Sequence, residues 1–378
     1  MLSYWEKDVF LQYDYILVGA GIVGLSTAIA LAENQPDKSI LVLERGLLPT
    51  GASTKNAGFA CFGSVTEILS DLQQQPAEEV QGLIQKRWEG LQKLRTKVGD
   101  QALGYQAWGG YELILQGQAF NPDALEQVNE WLWPLFKRAV FTLDDSRITS
   151  FGFSKQQVKH IIHNPLEGQL HPGRLMHALL KQAQTQGVKV LTGAEVRQWK
   201  ESKDGVELYV FDKTNEEEII FQTDKLALCT NAFSKQLLPG LDLTPGRGMV
   251  LVTSPVPKLK IQGTFHFEEG YYYFRNIENR VLLGGGRHLA LAEESTTEMK
   301  VNPLIRQKLN KLLTEVLLPN TPFSIEHEWA GVMAFGKTKQ PVLCQHSARV
   351  FLGLRLGGMG VAIGMELGER LAELLDNS

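Results

Sequence analysis

The chain has 378 residues, 43% hydrophobic and 21% charged, with 38 Lys+Arg against 42 Asp+Glu and a net charge of −4. That length exceeds what one hydrophobic core usually spans and predicts two domains, while the mixture excludes a wholly disordered or collagen-like chain. The balanced charge gives no electrostatic reason to expect nucleic acid or an anionic membrane as main partner.

The cysteines Cys61, Cys229 and Cys344 have no paired spacing and point to a reducing compartment. Residues 15–32 carry no charge, and eighteen such residues almost suffice to cross a bilayer. Three glycines, Gly19, Gly21 and Gly24, break the run, so it reads as strand, turn and helix. The first eight residues carry acidic charge and no small-residue cleavage pattern follows, which is unlike a signal peptide. The expected protein has no membrane span and is soluble and cytoplasmic.

In chain order, 14–18 is an apolar strand, 22–33 an amphipathic helix and 39–44 a second strand, together a βαβ unit of about thirty residues. A loop of small and polar residues covers 46–64. Residues 67–98 are helical with a break at Pro76 and a buried stripe of Trp88, Leu91 and Leu94. Strands at 111–116 and 139–143 flank a helix at 122–136. A helix at 172–186, closed by Gly187, leads to a strand at 188–192. A hairpin (206–211 and 219–221) and a buried strand at 225–230 follow. From 246 to 287 the pattern becomes alternating and aromatic-rich, as in 270–275 and 280–284, the mark of an antiparallel sheet. A helix at 303–318, a strand at 350–352, a glycine-rich turn at 353–364 and a helix at 365–375 complete the chain. The α/β stretches are separated by material of another kind. The simplest architecture is a parallel-sheet domain in three pieces with an antiparallel α+β domain inserted twice.

Gly19-Ala20-Gly21-Ile22-Val23-Gly24 is a GxGxxG turn between strand and helix. Gly19 makes the tight turn, Gly21 admits a pyrophosphate to the backbone, and Gly24 lets the helix pack on the sheet. Free N–H groups at the helix start form an anion site. Glu44 ends the next strand, where its carboxylate can accept from ribose hydroxyls. His160 with His163, and His171 with His177, lack a third ligand and are read as non-ligands. No metal is expected.

The stretch from Asp14 to Glu44 and Arg45, with Gly51-Ala52-Ser53-Thr54-Lys-Asn56-Ala57-Gly58, resembles the amino-terminal FAD region of the D-amino-acid oxidase-like flavoproteins. That family includes glycine oxidase, sarcosine oxidase and gamma-glutamylputrescine oxidoreductase. Three further blocks are similar to it in the same order: Leu170-His-Pro-Gly-Arg174 with Val196, Leu226-Ala-Leu-Cys-Thr230-Asn231-Ala232, and Gly357-Gly358-Met359-Gly360-Val361. The resemblance implies an α/β Rossmann-like FAD-binding domain in three segments, 1–65, 150–242 and 328–378. An inserted antiparallel α+β substrate domain would then cover 66–149 and 243–327. By the same resemblance, the turn from Gly19 to Gly24, Glu44 and Arg45 hold the ADP half. Ala52, Ser53, Thr54, Asn56, Ala57 and Gly58 run along the pyrophosphate and flavin. Val196 faces the adenine, Thr230 and Asn231 form a turn at the cofactor, and Gly357 to Val361 meet the flavin's pyrimidine edge. FAD is expected to be non-covalent. Asn56 stands where some relatives attach it through histidine, and Val332 and Met333 near the segment where the sarcosine-oxidase branch uses cysteine. Cys344 is expected to be a buried apolar side chain.

A flavoprotein of this kind positions an amine C–H bond, excludes water and keeps the amine neutral. Strand alternation puts Tyr271 and Tyr273 on one face and Tyr272 on the other. By resemblance Tyr271 faces substrate; the alternative is that the tyrosines fill core. Arg275 either binds a substrate anion or caps the strand. Glycine and D-amino-acid oxidases carry a carboxylate-gripping arginine where this chain has Met333, which disfavours a plain α-amino acid held in the usual way. The lysine with which sarcosine oxidases activate oxygen is Leu282 here, so oxygen or another electron acceptor is open. No catalytic residue is assigned.

The expected function is an FAD-dependent oxidoreductase that oxidises a small amine or N-substituted amine by hydride transfer to flavin N5, followed by imine hydrolysis. The alternatives are oxidation of a modified tRNA nucleoside, against which the acidic balance argues, and a non-catalytic flavin-binding protein.

Overall fold

The computed structural model describes residues 1–212 and 214–378, which form two eight-stranded sheets and a two-stranded one. The first sheet is ordered Val342–Gln345, Val350–Leu354, Glu217–Leu228, Gln12–Val18, Ile40–Glu44, Lys189–Thr192, with Val206–Asp212 and Glu195–Glu201 continuing from Glu217–Leu228. Its centre is parallel. Ile16, Leu17, Leu41, Val42 and Leu43 are fully buried, as strands covered on both faces require. Helix Ile22–Asn34 lies on this sheet, and helix Gly360–Asp376 lies on that helix. Gly368 permits the approach, because a Cβ there would stand 2.8 Å from the Val23 carbonyl oxygen. The uncharged stretch 15–32 is thus divided between strand Gln12–Val18 and helix Ile22–Asn34. Among the described residues no helix is long and apolar enough to cross a membrane.

The second sheet runs Ile325–Phe335, Thr244–Thr253, Arg280–Gly285, Tyr272–Ile277, Thr264–Phe267, Gly110–Leu115, Val158–Asn164, Thr142–Leu143. Most pairs are antiparallel; Thr264–Phe267 and Gly110–Leu115 run parallel. One face carries Tyr272, Phe265 and Phe274, the last two stacked at 4.5 Å, and packs beneath helix Pro303–Leu312. The opposite face carries Tyr273.

Several elements depart from the sequence reading. Val158–Asn164 and Ile325–Phe335 both hydrogen-bond into the second sheet, so sheet membership changes after 164 and after 335 rather than at 150 and 328. The expected hairpin arm and the buried strand after it are one strand, Glu217–Leu228. Gln222 pairs with Glu207 on one side and Gln12 on the other, so nothing interrupts it. Of 139–143 only Thr142–Leu143 pairs, because Asn129 Oδ1 takes the N–H groups of Val140 and Phe141. Residues 303–318 divide into helix Pro303–Leu312 and a π-turn, Leu313–Leu317. The last helix begins at Gly360, inside the expected turn, since Gly364 is where it packs on Ile22. Cys344 is exposed rather than buried, on the sheet's edge strand.

Candidate active site

A cleft of about 600 Å³ runs between the two main sheets, a volume within the usual range for small-molecule sites. Glu44, Arg45 and Val196, with Gly19, Gly21, Ile22 and Ser53, line the end at the first sheet; Tyr271, Tyr273 and Met333 line the end at the second sheet, where Gly357 to Val361 meet Met333. Two glycine clusters more than three hundred residues apart in sequence therefore share one cavity.

At the first end, Gly19 has φ +106°, and a Cβ there would lie 2.9 Å from the Cys229 carbonyl oxygen. Gly24 faces away from the cleft, where a Cβ would stand 2.0 Å from the Gly19 carbonyl oxygen. Helix Ile22–Asn34 has no cap from Gly21; the Ile22 N–H donates to Ser53 Oγ at 3.0 Å. Glu44 is buried and accepts from the Ala20 N–H at 3.1 Å and the Gly46 N–H at 2.9 Å, which orients its carboxylate at the cleft. The Arg45 guanidinium lies 3.6 Å from the centre of the Phe233 ring, another cleft residue. Ala52, Asn56, Ala57, Gly58, Thr230 and Asn231 also line the cavity. Asn56 ties its own loop, donating to the Ala52 and Ser53 carbonyls and accepting from the Gly58 N–H. Asn231, at φ +46°, accepts from the Arg355 N–H. Ala20, Gly24 and Thr54 are not on the cavity wall; the Thr54 hydroxyl donates to the Pro49 carbonyl instead.

Gly357 and Gly358 have φ of +56° and +84°, and helix Gly360–Asp376 starts directly behind them without a side-chain cap. Two long helices thus aim N-termini without a cap from their own N-cap residues into one cleft from which glycines withhold side chains, the first with its Ile22 N–H held by Ser53 Oγ. Such ends favour negative charge. With the oriented Glu44 carboxylate between strand end and cavity, these residues fit an extended dinucleotide such as FAD.

At the other end, Tyr271 and Tyr273 line the cleft while Tyr272 is fully buried in the core. Burial pushes the Tyr273 phenol up to about 12. Its ring meets Phe59 edge-on at 5.7 Å. A Cβ on Gly248 would lie 3.1 Å from Met333 Cε and 3.8 Å from the Tyr273 hydroxyl, and one on Gly358 3.4 Å from Met333 Sδ. Met333 and Tyr273 therefore meet beside the second glycine turn. Arg275 is not on the cleft. Its Nη2 sits 3.2 Å from where a Gly58 Cβ would be, behind that loop, and burial lowers its guanidinium to about 10.

The cleft also holds charged groups that the sequence did not announce. Lys339 Nζ lies 3.2 Å from Glu67 Oε1 and 2.7 Å from Asp71 Oδ1, and Arg87 Nη1 lies 3.5 Å from Glu67 Oε1. Burial would raise the Glu67 carboxyl, but Arg87 and Lys339 outweigh it and hold it below the usual value. Two acids and two bases leave this network neutral. His266, across from Glu67, is driven down to about 4 by burial, which Glu67 only partly opposes, so its imidazole is uncharged. Behind this wall, Glu167 accepts the N–H groups of Phe62 and Gly63, and burial raises it to about 8. Glu112 fastens the Thr66 N–H and hydroxyl, and burial raises it to about 6. Glu67 and Asp71 stand four apart on helix Val65–Gln74, and their partners Arg87 and Lys339 come from other segments of the chain.

A family model described as "FAD dependent oxidoreductase" (DAO) matches residues 14–374. The curated "Probable oxidoreductase OrdL" of Haemophilus influenzae is 22% identical over 376 residues, covering 96% of this chain and 82% of that protein. Among solved structures, L-proline dehydrogenase from P. horikoshii superposes with a TM-score of 0.76 at 16% identity, covering 97% of this chain and 94% of the other. Glycine oxidase from Geobacillus kaustophilus gives 0.75 at 19% identity, with 97% and 95% covered. At these identities the superpositions establish the fold.

Proposed function

The chain belongs to the DAO family of FAD-dependent oxidoreductases, with FAD as its cofactor, and on that premise we propose that it oxidises a small amine or N-substituted amine at the carbon beside nitrogen. The observation that carries this reading is the single cleft, which joins the dinucleotide cradle to a small aromatic chamber at the second glycine turn. The names of two structural neighbours, a proline dehydrogenase and a glycine oxidase, agree with an amino compound as substrate.

FAD bound in the cradle supplies the two-electron acceptor for hydride. Tyr273, Phe59 and Met333 exclude water from the chamber and orient the C–H bond. A dry wall disfavours an ammonium, so the substrate nitrogen sheds its proton more readily there than in water. The Glu67–Asp71–Arg87–Lys339 network is neutral, so its two carboxylates are compensated and add no net charge that would hold the nitrogen protonated. His266, uncharged, can accept a hydrogen bond from the amine. The imine product then hydrolyses on meeting water at the cleft mouth.

The purified protein should be yellow. Anaerobic mixing with polyamines, N-methyl amines and N-carboxymethyl amines should bleach the flavin band at about 450 nm for at least one of them. Colourless protein that FAD does not reconstitute, or a flavin that no amine on the panel reduces, refutes the proposal.

A further inference from the structure

Met333 removes the arginine with which relatives hold a carboxylate, yet a guanidinium reaches this part of the cleft from a different element. Arg287 opens the 3-10 turn Arg287–Ala290 just after Gly284, Gly285 and Gly286, and it lines the cleft. Its guanidinium lies 4.2 Å from the centre of the Phe335 ring, two residues beyond Met333 on strand Ile325–Phe335. Gly246 makes room for this stack: a Cβ there would lie 2.4 Å from the Phe335 ring and 3.3 Å from Arg287 Nη1.

Arg287 has no ion pair or hydrogen bond to a carboxylate among the described residues, although burial works against its charge. The buried acid nearest in charge effect, Glu294, is already committed. Its Oε1 accepts from Arg247 Nη2 at 2.7 Å and Asn302 Nδ2 at 2.8 Å, and its Oε2 from Arg247 Nε at 2.8 Å. Glu269, which also lines this end, forms no ion pair with it. A half-buried cation in a ligand cleft without an acid partner is costly in the empty site, and an anionic ligand group relieves that cost.

The position of Arg287 limits where that anion sits. Met333 Cε and the Tyr273 hydroxyl converge on Gly248, beside the flavin turn, whereas Arg287 Nη1 converges on Gly246. Both glycines belong to strand Thr244–Thr253, two residues apart, which is about 6.6 Å along a strand. We propose that Arg287 is the anion-recognising residue of the pocket, and that the substrate is an amine with a carboxylate several bonds from the reacting carbon instead of on it. This rests on the amine-oxidation reading of the same site.

The test uses the full-length, FAD-loaded protein and two variants, Arg287→Met and Arg287→Lys. Acetate and pentanoate serve as non-oxidisable probes, with equilibrium binding read by calorimetry and by perturbation of the flavin spectrum. Glycine, 5-aminopentanoate and pentylamine serve as oxidisable ones under anaerobic conditions. Pentanoate should bind more tightly than acetate and weaken about 10- to 100-fold in Arg287→Met, with Arg287→Lys between. The preference for 5-aminopentanoate over pentylamine should collapse in Arg287→Met, mainly through KM. Circular dichroism and flavin content establish that the variants fold. If pentylamine reduces the flavin while pentanoate binds wild type and Arg287→Met alike, or acetate outbinds pentanoate, the inference fails and amine oxidation stands. If no amine reduces the flavin but pentanoate binding depends on Arg287, the anion site stands and amine oxidation fails.

Discussion

Replacing Glu167 by Gln should change how stability depends on pH. The carboxyl is 3% exposed, accepts the Phe62 N–H at 2.9 Å and is raised by burial from 4.5 to about 8. A carboxyl whose folded value lies above its unfolded value is fully stabilising below about 4.5 and loses that contribution as pH climbs to about 8. The slope across that window is about 1.4 kcal/mol per pH unit. The gap between 4.5 and about 8 corresponds to about 5 kcal/mol at the upper bound. Gln keeps an oxygen for the Phe62 and Gly63 N–H groups but cannot ionise. Urea melts of both proteins at pH 5, 6, 7 and 8 isolate this site, since Glu112 and His266 titrate in both. The variant should gain on wild type by about 2–3 kcal/mol between pH 5 and 7. Two stability curves that run parallel across those pH values would refute the reasoning.

Glu44→Ala should weaken FAD binding about 10- to 100-fold, read by fluorescence titration of the apoprotein, while Glu44→Gln should lose less because it keeps an acceptor for the Ala20 N–H. Gly90→Ala puts a Cβ 2.2 Å from the Ala362 carbonyl oxygen, where helix Ala77–Val98 crosses helix Gly360–Asp376. It should cost about 1–3 kcal/mol, seen as a lower melting midpoint; an unchanged midpoint would show that the helices separate freely. His266, lowered to about 4 by burial, stabilises the fold above its unfolded value of 6.5 and loses that contribution as pH falls towards 4. His266→Asn should therefore flatten the acid limb of the stability curve.

The dinucleotide cradle was legible in the chain because it is local. Strand, GxGxxG turn, helix and second strand lie within about thirty residues, so Gly19, Gly21 and Glu44 carry their geometry with them. The opposite faces of Tyr272 and Tyr273 were legible for the same reason, since a strand turns successive side chains to opposite faces, whereas Tyr271 lies in the turn before strand Tyr272–Ile277. The second glycine cluster showed as a motif, although its helix begins at Gly360, earlier than its pattern suggests, because packing of Gly364 on Ile22 outweighs the low helix propensity of glycine.

What tertiary structure decided is which distant groups meet. Glu67 and Lys339 are 272 residues apart and touch only because the chain folds back across the cleft. Arg275, beside the tyrosines in sequence, goes behind Gly58, while Arg287, past the end of its strand, turns into the cavity. Arg287 also reaches Phe335 only because Thr244–Thr253 pairs with Ile325–Phe335 in the register that sets Gly246 opposite Met333. Local periodicity dictates the direction of a side chain along its own strand or helix; inter-strand register and the crossing of helices dictate its neighbours, and those are sums of many weak contacts that no short stretch of sequence contains.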